Sequence, residues 1–250
     1  DIACEDETRV ILKWPPSHTD DYIHANWSTT ADGRKYILTQ GPIDKTSEDF
    51  WRMAWQEKAK AILMLCCVEE GGKRKCVQYW PRKIGESMTF DELTIVCIDK
   101  RKKKEKGVKG ITISTLQISD GKETHTLEHV HWKSWPDKGV PRSFLDAFAI
   151  IQRSRLAGSP IIAHCSAGIG RTGTLVGLDI FCSRLAAGEP ATLKESIIEL
   201  RRCREGSVQT ESQYVFIARA LVELAIHHKI VKPNEARKFL KQYTAYTKKT

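Results

Sequence analysis

The sequence predicts an α+β fold, and three observations carry that expectation. Short β-rich runs bounded by turn residues fill the first half. Apolar residues at helical spacing dominate the second half. No internal repeat and no Gly/Ser-rich linker divides the 250 residues. One domain over 1–250 is therefore expected. It should hold a twisted, mostly antiparallel mixed sheet flanked by helices.

The elements follow in order. "TRVIL", "YIHANW", "KYILTQG", "AILMLCCV", "CVQYWP", "LTIVCI", "ITISTLQI" and "THTLEHVHW" read as strands, and the apolar "PIIAH" as a later one. A helix over 47–58 interrupts the strands, and four more are expected at 144–156, 173–187, 193–204 and 211–228. Ser143 with Asp146, Thr192 with Glu195, and Thr210 with Gln213 have capping-box spacing. The stretch 233–250 reads as a C-terminal helix with a basic tail.

Composition sets bounds on function. A chain that is 41% hydrophobic and 28% charged is neither disordered nor low-complexity. Its longest apolar run, 61–68, is too short to span a bilayer, so no membrane insertion is expected in this segment. Eight cysteines occur without a CxxC pair, and no signal-like segment opens the sequence, which reads as reduced thiols in a cytoplasmic setting. The net charge of +9 favours anionic partners. Its densest run, "KRKKKEKGVK" from Lys100 to Lys109, reads as a solvated turn between two strands. No aromatic residues interleave the lysines, so no nucleic-acid partner is expected. His129 and His131 have strand spacing but no neighbouring Cys/His cluster, so no metal is expected.

The chemistry is concentrated in "HCSAGIGRTG", from His164 to Gly173. An apolar strand precedes it and a helix follows. Gly168 and Gly170 let the backbone curl, so that the amides of Ser166, Ala167, Gly168, Ile169 and Gly170 can point inward as an anion nest at a helix N-terminus. Arg171 adds a planar fork for two phosphate oxygens. Cys165 sits at the base of this cradle, where the same donors favour a thiolate. A thiolate facing a bound phosphate is a nucleophile aimed at phosphorus. The rival phosphate loop, a Walker-type P-loop, needs a Gly-Lys-Ser/Thr ending that is absent here.

With these residues in view, the sequence resembles the phosphotyrosine-specific, cysteine-based protein tyrosine phosphatases over essentially its whole length. "HCSAGIGRTG" matches their signature loop, "WPDKGVP" (Trp135 to Pro141) their mobile acid loop, and "QTESQY" (Gln209 to Tyr214) their glutamine loop. "DYIHANW", "TQGP", "DFWRMAW" and "KCVQYWP" match structural motifs in the family's order. The resemblance implies hydrolysis of phosphotyrosine in proteins through a cysteinyl-phosphate, with no cofactor. Asp137 would be the general acid and then the base, on a loop stiffened by Pro136, hinged at Gly139 and opened by Trp135. Thr172 would hydrogen-bond the sulfur, and Gln209, with Gln213, would position water. Glu70 would orient Arg171, Lys75 would lie near Asp137, and His164 would support the loop. Asp1 falls where the family binds substrate backbone amides, with the family's stacking tyrosine expected just before it. His24, Ala163 and Lys138 depart from the family's usual residues, and Gly206 leaves the pocket rim small. A catalytically silent phosphotyrosine-binding module and a dual-specificity phosphatase are the alternatives. Retention of Cys165, Arg171, Asp137 and Gln209 together weighs against the silent module, and chain length and "WPDKGVP" against dual specificity. Oligomeric state is left open.

Overall fold

The computed structural model describes residues 2–102, 110–141, 143–190 and 192–247. Strands β1 (Arg9–Ile11), β2 (Tyr22–Thr29), β3 (Lys35–Thr39) and β4 (Ala61–Met64) open the chain, with helix α1 (Ser47–Gln56) before β4. The short β5 (Glu69–Glu70) and β6 (Lys73–Arg74) follow, then β7 (Ser87–Phe90), β8 (Leu93–Lys102), β9 (Ile111–Ser119) and β10 (Thr124–Trp132). The rest is helical except for β11 (Ile161–His164): α2 (Phe144–Ala157), α3 (Gly170–Ala186), α4 (Leu193–Cys203), α5 (Glu211–His227) and α6 (Pro233–Thr247).

Among the described residues, nine strands form one sheet in the order β1-β2-β3-β11-β4-β10-β9-β8-β7. The pairs β3/β11, β11/β4 and β4/β10 are parallel and the five others antiparallel. The sequence pattern explains the split. "ILM" and "IIA" are continuous apolar runs, and every residue of β4 and β11 is buried, as a sheet covered on both faces requires. Outer strands such as β9 alternate buried and half-buried positions. Helix α3 packs on β3 and β11, α4 on β2 and α2 on β10, while α5 joins α2 and α3. Buried Asp179 of α3 accepts hydrogen bonds from Arg34 Nη1 (2.6 Å), Tyr36 Oη (2.7 Å) and Arg155 Nε (3.1 Å), tying α3 to β3 and α2.

Register decides where function can sit. Thr39 and Met64 both pair with His164, and Met64 pairs with His131, so four parallel strands end flush. The loops leaving those four carboxyl ends converge on one spot, the usual place for a ligand in a sheet with parallel strands.

The structure departs from the sequence reading in several places. "CVQYWP" is not a strand: Val77 N–H donates to Pro42 O and Tyr79 O takes the indole N–H of Trp51, so its backbone is satisfied outside a ladder. The β5–β6 hairpin and β7 were not foreseen. Gly71 (φ +56°) and Gly72 (φ +71°) turn that hairpin, with both central residues left-handed as a two-residue turn prefers. Helix α3 begins at Gly170, earlier than expected, which puts Arg171 in its first turn. Ser143 makes no capping hydrogen bond, whereas Thr192–Glu195 and Thr210–Gln213 form complete capping boxes. Of the lysine run, Lys100 to Lys102 continue β8, and 103–109 lie outside the described residues.

Candidate active site

The loop between β11 and α3 can be accounted for atom by atom. Its carbonyls are satisfied from outside. His164 O accepts from Leu65 N (2.9 Å) and Ser166 O from Gly41 N (2.9 Å). Ala167 O and Gly168 O accept from the Arg204 guanidinium (3.0 and 3.4 Å), and Ile169 O from the amides of Gly173 and Val208 (3.0 Å each). The backbone N–H groups of residues 166–171 make no hydrogen bond among the described residues. Carbonyls turned out and amides left free make a cradle for an anion, at the N-terminus of a helix. Cys165 is buried at its base.

Gly168 makes the curl possible. Its φ is +73°, and a Cβ there would lie 2.1 Å from Thr39 O and 2.3 Å from Thr39 C. Backbone cannot yield to that contact. Gly168→Ala is expected to cost about 2–4 kcal/mol, left-handed strain and overpacking together. It should also displace the cradle. Urea denaturation checks the first and phosphate binding the second; unchanged stability would mean that the loop and β3 do not touch.

Arg171 is almost fully buried and surrounded by acceptors. Nη1 and Nη2 grip Glu70 Oε1 and Oε2 (2.7 and 3.0 Å), Nη1 also reaches Trp135 O (3.1 Å), and Nη2 reaches Asp137 Oδ1 (3.1 Å). Nε is buried without a partner, a donor left for a ligand. Glu70 comes from the Gly-Gly hairpin and its Oε1 also accepts Cys67 N–H (2.8 Å), which holds the carboxylate square to Arg171.

Asp137 Oδ2 accepts from Lys75 Nζ at 2.6 Å. Partial burial pushes its carboxyl up, but the Lys75 hydrogen bond and the charges of Arg171 and Lys75 outweigh it and hold the group below the usual carboxylate range. The acid loop is tied back by Trp135 Nε1 to Gly139 O (3.0 Å), Gln213 Nε2 to Gly139 O (3.4 Å) and Thr210 Oγ1 to Lys138 O (3.2 Å). Its left-handed residue is Lys138 (φ +56°), not the expected hinge Gly139, which instead lies against Pro136 where a Cβ would meet the ring at 2.9 Å.

Behind the cradle runs a buried relay with one consistent proton assignment. Cys165 O can only accept, so His164 Nδ1–H donates to it (3.1 Å). His164 Nε2 then accepts from Tyr79 Oη–H (2.7 Å), whose oxygen accepts from His129 Nε2–H (2.8 Å). His131 Nε2–H donates to Cys66 O (2.9 Å). Burial pushes His129 well down, and His131 and His164 down to about 4. The unfolded chain therefore binds more protons than the folded one between about 6.5 and about 4, so stability should fall as pH drops through that window. Urea midpoints at either end of the window check this; equal midpoints would mean that the rings are not buried in neutral form.

The protein-tyrosine phosphatase family model matches residues 1–223. The chain belongs to the protein-tyrosine phosphatase family. It is 37% identical over 252 residues to tyrosine-protein phosphatase non-receptor type 9 of Rattus norvegicus, covering 90% of this chain and 41% of that protein. It is 35% identical over 226 residues to receptor-type tyrosine-protein phosphatase eta of Homo sapiens, covering 88% of this chain and 16% of that protein. The chain thus spans less than half the length of either relative. Among solved structures, the catalytic domain of human protein tyrosine phosphatase non-receptor type 18 aligns with a TM-score of 0.81 at 34% identity, over 90% of this chain and 82% of that one.

In this protein-tyrosine phosphatase fold most sequence-predicted residues meet: Cys165, the amides of 166–170, Arg171, Glu70, Lys75, Asp137, Trp135 and His164. Gln209 is exposed, its Oε1 3.0 Å from where a Gly170 Cβ would be, so it overhangs the cradle. Gln213 is fully buried beside Gly170, where a Cβ would lie 3.2 Å from its Nε2. Its Oε1 takes the N–H groups of Gln209 and Thr210 (2.9 and 3.2 Å), because the α5 N-terminus needs a cap. Thr172 makes no hydrogen bond to sulfur; its Oγ1 is buried with no partner. Asp1 lies outside the described residues. Arg204, which no motif pointed to, holds the cradle from behind. A separate cavity of about 230 Å³ among Trp80, His129, His131 and Lys133 contains none of the predicted reacting groups.

Proposed function

We propose that this chain hydrolyses phosphotyrosine in proteins through a cysteinyl-phosphate intermediate. The observation that carries the reading is the convergence of Cys165, beneath unpaired amides, with Arg171 and Asp137 on the facing loop. In the first step Cys165 Sγ forms a bond to phosphorus as the P–O bond to the phenol breaks, and protonated Asp137 gives its proton to the leaving oxygen. In the second step water attacks phosphorus, Asp137 takes its proton and the S–P bond breaks to regenerate the thiolate. Free Asp137 is ionised by Lys75 and Arg171. A phosphate dianion gripped by Arg171 Nε and the amides offsets that positive charge, which favours the protonated acid when substrate is bound. Gln209, which overhangs the cradle, is read as the group that orients the water. Thr172, whose buried hydroxyl makes no hydrogen bond, is read as the donor for the departing sulfur.

The substrate class is phosphotyrosine in proteins; solved structures of non-receptor type 18 hold phosphopeptides of HER2. We read residues 1–250 as one catalytic domain ending in α6 and a basic tail. We place it in the cytosol, alone or as the cytosolic part of a receptor. All eight cysteines are free, which suits a reducing compartment, and both receptor and non-receptor relatives match. Among the described residues no helix is long and apolar enough to cross a membrane.

The experiment is turnover of a phosphotyrosine peptide, a phosphoserine peptide and an aryl phosphate. Cleavage of the first and third alone is expected. Tight peptide binding without turnover would establish the silent module instead.

A further inference from the structure

His24 sits on β2 at the junction of two parts of the site. Its Nε2 lies 3.0 Å from Ile2 O and its Nδ1 2.7 Å from Arg204 Nη1. A carbonyl only accepts and a guanidinium only donates, so both ring nitrogens are assigned: Nε2 carries the proton and Nδ1 the lone pair. The ring is neutral in this arrangement. Arg204 is fully buried; its Nη2 and Nε hold Ala167 O and Gly168 O, and its Nη1 also reaches Asn26 Oδ1 (2.9 Å). Ile2, at the other end, lines a groove of about 510 Å³ together with Ile169, Gly206 and Gln209 beside the phosphate cradle. A single chain of hydrogen bonds therefore runs from the groove wall through His24 and Arg204 to the carbonyls behind the cradle.

We propose that His24 is a positioning residue that fixes the Ile2 wall of the peptide groove to the phosphate loop, and that it does so only as the neutral Nε2–H tautomer. The proposal rests on the phosphatase reading of that loop. A proton on Nδ1 would face the Arg204 guanidinium donor to donor. The hydrogen bond would be lost and two positive groups set against each other, so the wall would lose its tie to Arg204. Among the described residues Arg204 is the one charged group hydrogen-bonded to the imidazole. Glu205 is engaged with Ala3 N–H (3.0 Å), and Cys4 Sγ with Ala25 O and Asn26 Oδ1.

The effect belongs to substrates that fill the groove and not to a bare aryl phosphate. The ratio of kcat/KM for a phosphotyrosine peptide to that for phenyl phosphate cancels the chemical steps at phosphorus that both substrates share. At one fixed pH His24→Ala is expected to lower this ratio about three- to tenfold, the worth of one hydrogen bond, through a higher peptide KM with kcat within about twofold. His24→Asn keeps an acceptor for Arg204, so it should recover part of the ratio that His24→Ala loses. A His24→Ala ratio equal to the wild type's, or a His24→Asn ratio as low as that of His24→Ala, overturns the proposal. The same ratio read as binding affinities tests it in a protein that turns nothing over. A lowered binding ratio in His24→Ala without turnover would sink the phosphatase reading and leave the role of His24 standing.

Discussion

Cys165→Ser should lower kcat on a phosphotyrosine peptide by on the order of 10⁴-fold or more, the scale of loss when a catalytic nucleophile is removed. Phosphopeptide binding should survive. The serine hydroxyl stays protonated at neutral pH and is a poor nucleophile, yet the amides of residues 166–171 and the Arg171 fork are untouched. Those groups are held by contacts that do not involve the sulfur: Glu70 fixes the guanidinium, and Arg204 and Gly41 fix the outward carbonyls. Calorimetry with the peptide and a turnover assay measure the two halves separately. Residual activity within about tenfold of wild type would rule out the covalent route, since the rest of the cradle supplies binding and not attack.

How much of this was legible in the sequence follows from distance along the chain. The cradle lies in one contiguous stretch, so its glycines, cysteine and arginine could be read together, and strand and helix flanks followed from simple periodicity. The α+β class and the mixed sheet followed from the run of strands ahead of the helices. Glu70 and Lys75 came only through family resemblance. The Gly-Gly turn that presents Glu70 was visible but unread, because β5 and β6 are two residues each and lack an apolar pattern. "CVQYWP" misled because buried β-branched and aromatic residues suit a strand, while its partners are a lone carbonyl of Pro42 and the indole of Trp51. Arg204 and His24 were illegible as a pair. They are 180 residues apart, and only the fold brings guanidinium to imidazole. Gln213 shows a different limit: a glutamine three residues after a threonine was read both as a cap and as an aid to positioning water, and the structure shows the cap.

Asp137→Ala should cost about 10²–10⁴ in rate, the usual worth of general acid catalysis. The loss should be largest for alkyl-substituted phenols, whose oxygens need a proton to leave, and should shrink towards nothing for nitrophenols, which leave as stable anions. Equal losses across such a series would show that Asp137 acts otherwise, for instance by closing the loop on Arg171. The pH profile gives a second test, and its sign follows from the groups around the carboxyl. Burial raises Asp137, but the Lys75 hydrogen bond and the charges of Arg171 and Lys75 bring it below the usual carboxylate range. The acid must carry its proton for the first step, so rate falls as pH rises through its titration. Lys75→Met removes one positive charge and the 2.6 Å hydrogen bond, makes the carboxyl easier to protonate, and should move the alkaline limb of kcat/KM to higher pH. A shift to lower pH would mean that Lys75 works on another group. Asp137→Ala in the Lys75→Met background should flatten the limb that Lys75→Met alone displaces, because the group being tuned is then gone.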